Sequence, residues 1–225
     1  MLTSRDISLI RDIGLSHLLS RDQIISLGYF TSVTRANTRL RELALLDLVK
    51  RLDTPFLGQS LYMAGENTHE LVGDNVARLL EKRTGSPRFV QHALSVTNVR
   101  IALLAQGAKD WRFEQQLWRT IGGNSPIEVR PDGLVYTTKL PMFIEVDLGH
   151  VSPAKFSEKL RSYGILISSG MCPTLYGFDA FRLLTITTGS LRARHLRKLQ
   201  PLASKFEHLV QTFEEIGIPK IGCWS

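Results

Sequence analysis

The N-terminal third of the chain carries apolar residues at helical spacing in three short stretches, each preceded by a capping residue. Thr3 or Ser4 can cap the first helix, whose apolar positions are Ile7, Ile10 and Ile13. Residues 20–23 have the form of a capping box and open a second helix, which Gly28 ends. Thr31 or Ser32 opens a third helix, whose apolar face is formed by Ala36, Leu40, Leu43 and Leu46.

Two stretches after the third helix, residues 48–52 and 59–63, have the composition of strands. A loop containing Pro55 and Gly58 joins them. Three short helices followed by a hairpin predict a winged helix-turn-helix, which we assign to a first domain spanning residues 1–83.

The outer face of the third predicted helix is polar and basic. Its residues are Thr34, Arg35, Asn37, Thr38, Arg39 and Arg41. Arg35 and Asn37 are the residue types that make bidentate contacts with guanine and adenine. We expect Arg39 and Arg41, with Lys50 and Arg51 of the hairpin, to meet phosphates. The alternative is a solvated basic face in a protein–protein interaction module.

A connecting segment separates the three predicted helices and the hairpin from the rest of the chain. Residues 74–82 have a helical pattern, residues 84–87 break it, and residues 95–105 resume it. His92 precedes this last stretch and is interpreted as a capping or packing residue rather than a metal ligand. The sequence therefore predicts a second domain over residues 84–225.

Two predicted strands of the second domain, residues 127–136 and 142–148, contain acidic residues in an otherwise apolar pattern. Carboxylates in half-buried strands are costly unless they have a function. Glu145 and Asp147 share one face, and a hairpin register that sets Asp132 opposite either of them would gather three carboxylates. Such a group repels itself unless a cation relieves it, and oxygen ligands suit Mg²⁺ or Mn²⁺.

A helix opened by Ser152-Pro153 is predicted to follow and to run to about Ile167. Its buried stripe is formed by Phe156, Leu160, Tyr163 and Ile167. Lys159 lies beside this stripe and can lean toward the carboxylates.

The C-terminal part is predicted to contain a strand over residues 182–188 and a helix over residues 191–211. Residues 180–206 include six basic residues and no acidic one. Arg192, Arg194, Arg197 and Lys198 of the predicted helix are therefore a second candidate phosphate-binding surface. An ordinary solvated helix face is the alternative.

Composition narrows the class of partner. The 225 residues are 43% hydrophobic and 22% charged, which indicates a folded protein, and the net charge of +7 favours an anionic partner such as double-stranded DNA. No apolar run approaches the roughly 20 residues that span a bilayer, and the N-terminus lacks the pattern of a signal peptide, so no membrane partner is expected. Cys172 and Cys223 are not in a metal-binding spacing, and we expect a reducing cytoplasm.

Pro131-Asp132 and Glu145, followed by a helix and a buried strand, are similar to the core of PD-(D/E)xK nucleases. That resemblance implies a restriction-endonuclease-like α/β core with a mixed sheet, so the whole chain is expected to be α+β. It also implies that the Asp and Glu hold a divalent metal while a Lys two residues after the Glu positions water. Asp147 stands where that Lys is expected, and Lys159 is the best-placed substitute.

The whole chain resembles the plasmid replication-relaxation family. The resemblance rests on residues 2–6, 40–47 and 62–64, on Arg130-Pro131-Asp132, and most specifically on residues 143–147 followed by 159–163. It implies a DNA-binding protein of a bacterial plasmid or mobile element that acts in plasmid replication or DNA relaxation.

Three functions remain open from the sequence. The first is site-selective DNA binding with a nuclease-like domain. The second is an active nickase, in which Asp132, Glu145 and Asp147 hold Mg²⁺, Lys159 stabilises charge and Glu114 is an additional candidate ligand. The third is a transcriptional regulator with an inactive nuclease fold. A homodimer and contacts with other plasmid replication proteins are also left open.

Overall fold

The computed structural model describes residues 1–52, 60–68, 86–122, 126–199 and 205–219. These residues form two compact units, one over Met1–Ile101 and the other from Ala102 onward. The predicted boundary between residues 83 and 84 lies outside the described residues and stays a prediction. No helix among the described residues is long and apolar enough to cross a membrane.

The first unit consists of short helices on a small antiparallel sheet. In chain order its elements are α1 (Ser4–Leu15), β1 (Leu19–Ser20), α2 (Arg21–Ser26), α3 (Val33–Leu45), β2 (Val49–Leu52), β3 (Leu61–Ala64) and most of α4 (Pro87–Ala105). The strand order is β1-β3-β2. The three helices and two strands predicted for this region are confirmed. The loop with Pro55 and Gly58 and the predicted helix over residues 74–82 lie outside the described residues.

Local capping explains where these helices begin. Thr3 and Asp6 form a capping box at α1, in which the Thr3 amide donates to the Asp6 carboxylate at 2.8 Å. Ser20 and Gln23 form a second box at α2. Ser32 Oγ accepts from the Arg35 amide at 3.3 Å and opens α3. These contacts satisfy amides that have no partner within their own helix.

In the first unit, hydrogen bonds and an ion pair also connect α4 to the helices before it. Gln23 of α2 donates from Nε2 to the Leu94 carbonyl at 2.8 Å and to Asn98 Oδ1 at 2.7 Å. Arg100 forms an ion pair with Asp12 of α1, whose side chain is only 5% exposed. Tyr29 donates a further hydrogen bond to Asp12 at 2.9 Å. These bonds compensate the cost of burying the Asp12 charge.

The second unit is built on a mixed five-stranded sheet of order β10-β9-β8-β7-β4. Its strands are β4 (Lys109–Phe113), β5 (Arg119–Ile121), β6 (Ile127–Val129), β7 (Gly133–Tyr136), β8 (Met142–Asp147), β9 (Arg182–Thr187) and β10 (Glu207–Thr212), where β5 and β6 pair separately. Its helices are α5 (Glu114–Leu117), α6 (Pro153–Ser168), α7 (Cys172–Tyr176) and α8 (Gly189–Arg197). Strands β8, β9 and β10 are parallel, and β7 is antiparallel to β8. The predicted α+β class with a mixed sheet is confirmed.

Two predicted elements differ from the structure. The single strand predicted over residues 127–136 is two strands, because β6 ends before Pro131 and pairs with β5, whereas β7 pairs with β8. The helix predicted over residues 191–211 ends at Arg197, and Glu207–Thr212 is β10. In β10 the buried His208, Val210 and Thr212 alternate with more exposed residues, which is the period of a strand.

Strand β8 lies in the middle of the second unit, and all six of its residues are buried. Phe143 contacts the rings of Tyr163, Tyr176, Phe178 and Phe181. Acidic residues farther along β8 are therefore held against a packed core rather than on a solvated sheet face.

Gly133, which begins β7, is covered by an indole ring. A Cβ atom at this position would lie 2.3 Å from Cζ2 of Trp111, so only glycine fits. This close approach fixes the backbone directly after Asp132.

Candidate functional site

The centre of the candidate site is Glu145, whose side chain is only 2% exposed. Lys159 Nζ donates to Glu145 Oε2, and the Tyr163 hydroxyl donates to Oε1 at 2.6 Å. Lys159 and Tyr163 are four residues apart on α6 and therefore point from the same side of the helix. The sequence-based expectation that Lys159 leans toward the carboxylates agrees with this contact.

Asp132 joins the same group from the strand beside β8. The Asp132 amide donates to the Ile144 carbonyl at 3.0 Å, and Gly133 pairs with Ile144, so Asp132 is placed next to Glu145. The Val146 amide donates to Asp132 Oδ2 at 2.7 Å. Asp132, Glu145, Lys159 and Tyr163 are called the Glu145 cluster below.

Burial and charge set the proton affinities within the Glu145 cluster. Burial raises the pKa of Glu145 to about 7; the Lys159 charge opposes this rise, and the Asp132 charge makes a smaller contribution to it. Burial lowers the pKa of Lys159, but Glu145, Asp132 and Glu114 outweigh that effect and raise it above its ordinary value. The fold therefore favours the charged form of Lys159 and makes Glu145 a weaker acid than it is in solution.

Asp147 lies two residues farther along the same face of β8 but has different partners. The Thr187 hydroxyl donates to its Oδ2 at 2.8 Å. Arg192 of α8 donates to both oxygens, at 2.7 Å from Nε and 3.0 Å from a terminal nitrogen, and also donates to the Val151 carbonyl. This bidentate pair neutralises a carboxylate whose side chain is 3% exposed.

The hydrogen bonds of these carboxylates do not fit the predicted metal site with three carboxylate ligands. Both Glu145 oxygens accept hydrogen bonds from protein groups, and Arg192 engages both oxygens of Asp147. Across the described ranges, no group of three His, Cys, Asp or Glu residues is arranged to hold a metal ion. The binding of Mg²⁺ or Mn²⁺ therefore stays a prediction.

Glu114, at the start of α5, lies near the Glu145 cluster and contributes to the raised pKa of Lys159. It also forms an ion pair with Arg130, whose guanidinium lies over the Trp118 ring at 4.6 Å. Sequence reasoning did not assign Arg130 or Trp118 to the site. The position of Arg130 directly before Pro131-Asp132 was the one signal for it.

The predicted DNA-binding residues of the first unit divide by exposure. The exposed residues are Thr34, Arg35, Thr38 and Arg41 on α3 and Lys50 and Arg51 on β2. Asn37 and Arg39 are half-buried. Arg39 is engaged by Glu42 and by the fully buried Asp6, to which it donates at 2.7 Å. Burial raises the pKa of Asp6, but hydrogen bonds from Arg39 and Thr3 outweigh this and hold the pKa below its usual range.

The four predicted cations near the C-terminus divide by whether they contact a residue of the fold. Arg192 is bound to Asp147, and Arg197 donates to the Val210 carbonyl at 2.8 Å. Arg194 of α8 and Lys198, the C-cap residue of that helix, are both exposed. The sequence does not separate the two pairs, because the partners Asp147 and Val210 lie on two other elements, β8 and β10.

The fold and these side chains define a two-unit α+β protein, with a basic helical unit followed by a mixed-sheet unit that holds a buried acid–lysine cluster. The model of the replication-relaxation family matches residues 10–179, and the chain belongs to this family.

The solved structures include a similar one, titled "Crystal structure of protein VC1899 from Vibrio cholerae", with 11% identity and a TM-score of 0.37. The similarity covers 96% of this chain and 55% of that protein, so the chain spans about half of its length. A search of curated proteins gave no match.

Proposed function

We propose that the chain is a DNA-binding protein of plasmid replication or DNA relaxation, and that its first unit is a winged helix whose α3 enters the major groove. The observation that carries this proposal is the exposed polar face of α3. Thr34, Arg35, Thr38 and Arg41 are exposed on a helix whose opposite face is buried through Ala36, Leu40 and Leu43.

Each exposed residue suits a particular contact with duplex DNA. Arg35 lies in the first turn of α3, where recognition helices contact base edges. Its guanidinium can donate two hydrogen bonds to O6 and N7 of guanine. Arg41, Lys50 and Arg51 lie farther from that turn and suit phosphates, which position a protein without reading sequence. Arg39 anchors α3 to Asp6, so the proposal does not depend on it.

The test is fluorescence anisotropy of the full chain with a mixed-sequence duplex of about 30 base pairs, chosen to exceed a single major-groove site. Arg35→Gln/Arg41→Gln is expected to weaken binding about tenfold, because one base contact and one phosphate contact are lost. The control Arg11→Gln/Arg88→Gln removes the same charge from two exposed positions on α1 and α4.

Two results would overturn the proposal. One is a wild-type chain that does not bind the duplex at low salt. The other is an equal loss of affinity in both double variants, since that would reflect net charge rather than α3.

A second candidate function is phosphodiester cleavage by the second unit. The observation that favours it is the Glu145 cluster, in which Asp132, Glu145 and Lys159 interact beside Glu114. Asp147 is left out of this candidate site because Arg192 occupies it.

The test for cleavage is nicking of supercoiled plasmid with Mg²⁺ or Mn²⁺ by wild type, Asp132→Asn and Glu145→Gln. Cleavage that both substitutions abolish would support the enzyme. Cleavage that is absent, or that both variants retain, would contradict it and leave a DNA-binding regulator without nuclease activity.

A further inference from the structure

The acid-free segment between Ala180 and Phe206 contains six basic residues, and the structure separates them into two groups. Four are bound within the fold. Arg182 pairs with Glu207, Arg192 with Asp147, Arg197 with Val210 and Glu215, and Lys205 with Ser168. The cations of this group already have partners that account for their presence.

Arg194 and Lys198 form the other group. Both are exposed, and neither forms an ion pair with any residue that the structure describes. They are four residues apart, at the C-terminal end of α8, so their side chains lie side by side. Like charges at this spacing repel each other, although the negative end of the helix dipole offsets part of that repulsion.

An external anion would remove the remaining repulsion. Duplex DNA presents one negative charge for about every 1.7 Å of its axis, so two cations that are about 6 Å apart along a helix can reach neighbouring phosphates. We infer that Arg194 of α8 and Lys198, the C-cap residue of that helix, form a second contact with the phosphate backbone of duplex DNA. This inference rests on the proposed DNA-binding function and assigns a role in it to the second unit.

The test is the salt dependence of duplex binding by the full chain, measured by anisotropy between about 50 and 200 mM NaCl. In Arg194→Gln/Lys198→Gln, the slope of the logarithm of the association constant against the logarithm of the salt concentration is expected to be shallower by about 2. Binding at the lowest salt concentration is expected to be about tenfold weaker. Lys109→Gln/Lys139→Gln is the matched control, because it removes the same charge from exposed positions on β4 and in the turn between β7 and β8.

The inference would be overturned if Arg194→Gln/Lys198→Gln left the salt dependence of DNA binding unchanged. It would also be overturned if Lys109→Gln/Lys139→Gln changed that dependence equally. The inference would also be overturned if Arg194 and Lys198 bound phosphatidylserine vesicles and their substitution left the salt dependence of DNA binding unchanged.

The failures of the two proposals can be told apart. If the α3 variant weakens DNA binding and the α8 variant does not, the inference fails and the proposed function stands. If only the α8 variant weakens binding, the assignment of α3 fails and the second contact stands.

Discussion

Glu145 and Asp147 are two residues apart on one strand, share a face and are both buried, yet they are stabilised in different ways. Asp147 accepts hydrogen bonds from the Arg192 guanidinium and from the Thr187 hydroxyl. Glu145 is held by the single ammonium of Lys159, whose side chain is 39% exposed, and by Tyr163. The sequence predicts a single metal site that contains both acids.

The difference indicates separate roles. A bidentate arginine with a further bond to the Val151 carbonyl ties the end of β8 to α8, which is a structural arrangement. Glu145 instead interacts with a second carboxylate and a half-exposed lysine, and its pKa is raised to about 7. Groups with such perturbed proton affinity concentrate at functional sites.

The largest expected effect comes from removing the cation that binds Asp147. Arg192→Ala would leave a buried carboxylate without its partner, and we expect the free energy of unfolding to fall by about 3–5 kcal/mol. Urea denaturation measures this change. Arg194→Ala on the same helix is the control and should change stability by less than about 0.5 kcal/mol. A loss below about 1 kcal/mol in Arg192→Ala would contradict the structural role of the pair.

A smaller effect is expected from the corresponding change at Glu145. In Lys159→Ala the carboxyl group can take up a proton and keep its bond with Tyr163, so a loss of about 1–3 kcal/mol is expected near neutral pH. The loss should shrink in mildly acidic solution. Urea denaturation at two pH values tests this, and a loss equal to that of Arg192→Ala at both would remove the distinction between the acids.

The pH dependence of stability offers a sharper comparison. Glu145 has an ordinary pKa of 4.5 and a raised pKa of about 7 in the fold, so the folded state binds more protons between these values. Its contribution is fully present below pH 4.5 and is lost as pH rises through about 7, with a slope of at most about 1.4 kcal/mol per pH unit.

Glu145→Gln removes this titration. The unfolding free energy of wild type minus that of the variant should therefore fall as pH rises from 4.5 to 7. Parallel pH profiles for the two proteins, or a difference that grows with pH, would contradict the raised pKa.

Much of this arrangement could be predicted because it depends on local rules. Strand alternation put Glu145 and Asp147 on one face, and Ser152-Pro153 fixed the start of the helix that carries Lys159. The capping boxes at Thr3 and Ser20 likewise involve residues only three positions apart.

The rest depends on contacts between residues distant in sequence. Arg192 and Asp147 are 45 residues apart, and Arg100 and Asp12 are 88 apart, so no periodicity connects them. The segment after α8 has an apolar pattern compatible with a helix, and only its pairing with β9 makes β10 a strand. Long-range pairing therefore decided which acids and cations were available for function.

The central claim is that the chain binds duplex DNA through exposed cations, and the salt dependence of wild-type binding tests it most directly. The three phosphate contacts of the first unit, by Arg41, Lys50 and Arg51, predict a slope of about −3 for the logarithm of the association constant against log salt, and those of Arg194 and Lys198 steepen it to about −4 to −5. Absence of binding at about 50 mM salt, or a slope near zero, would contradict the claim.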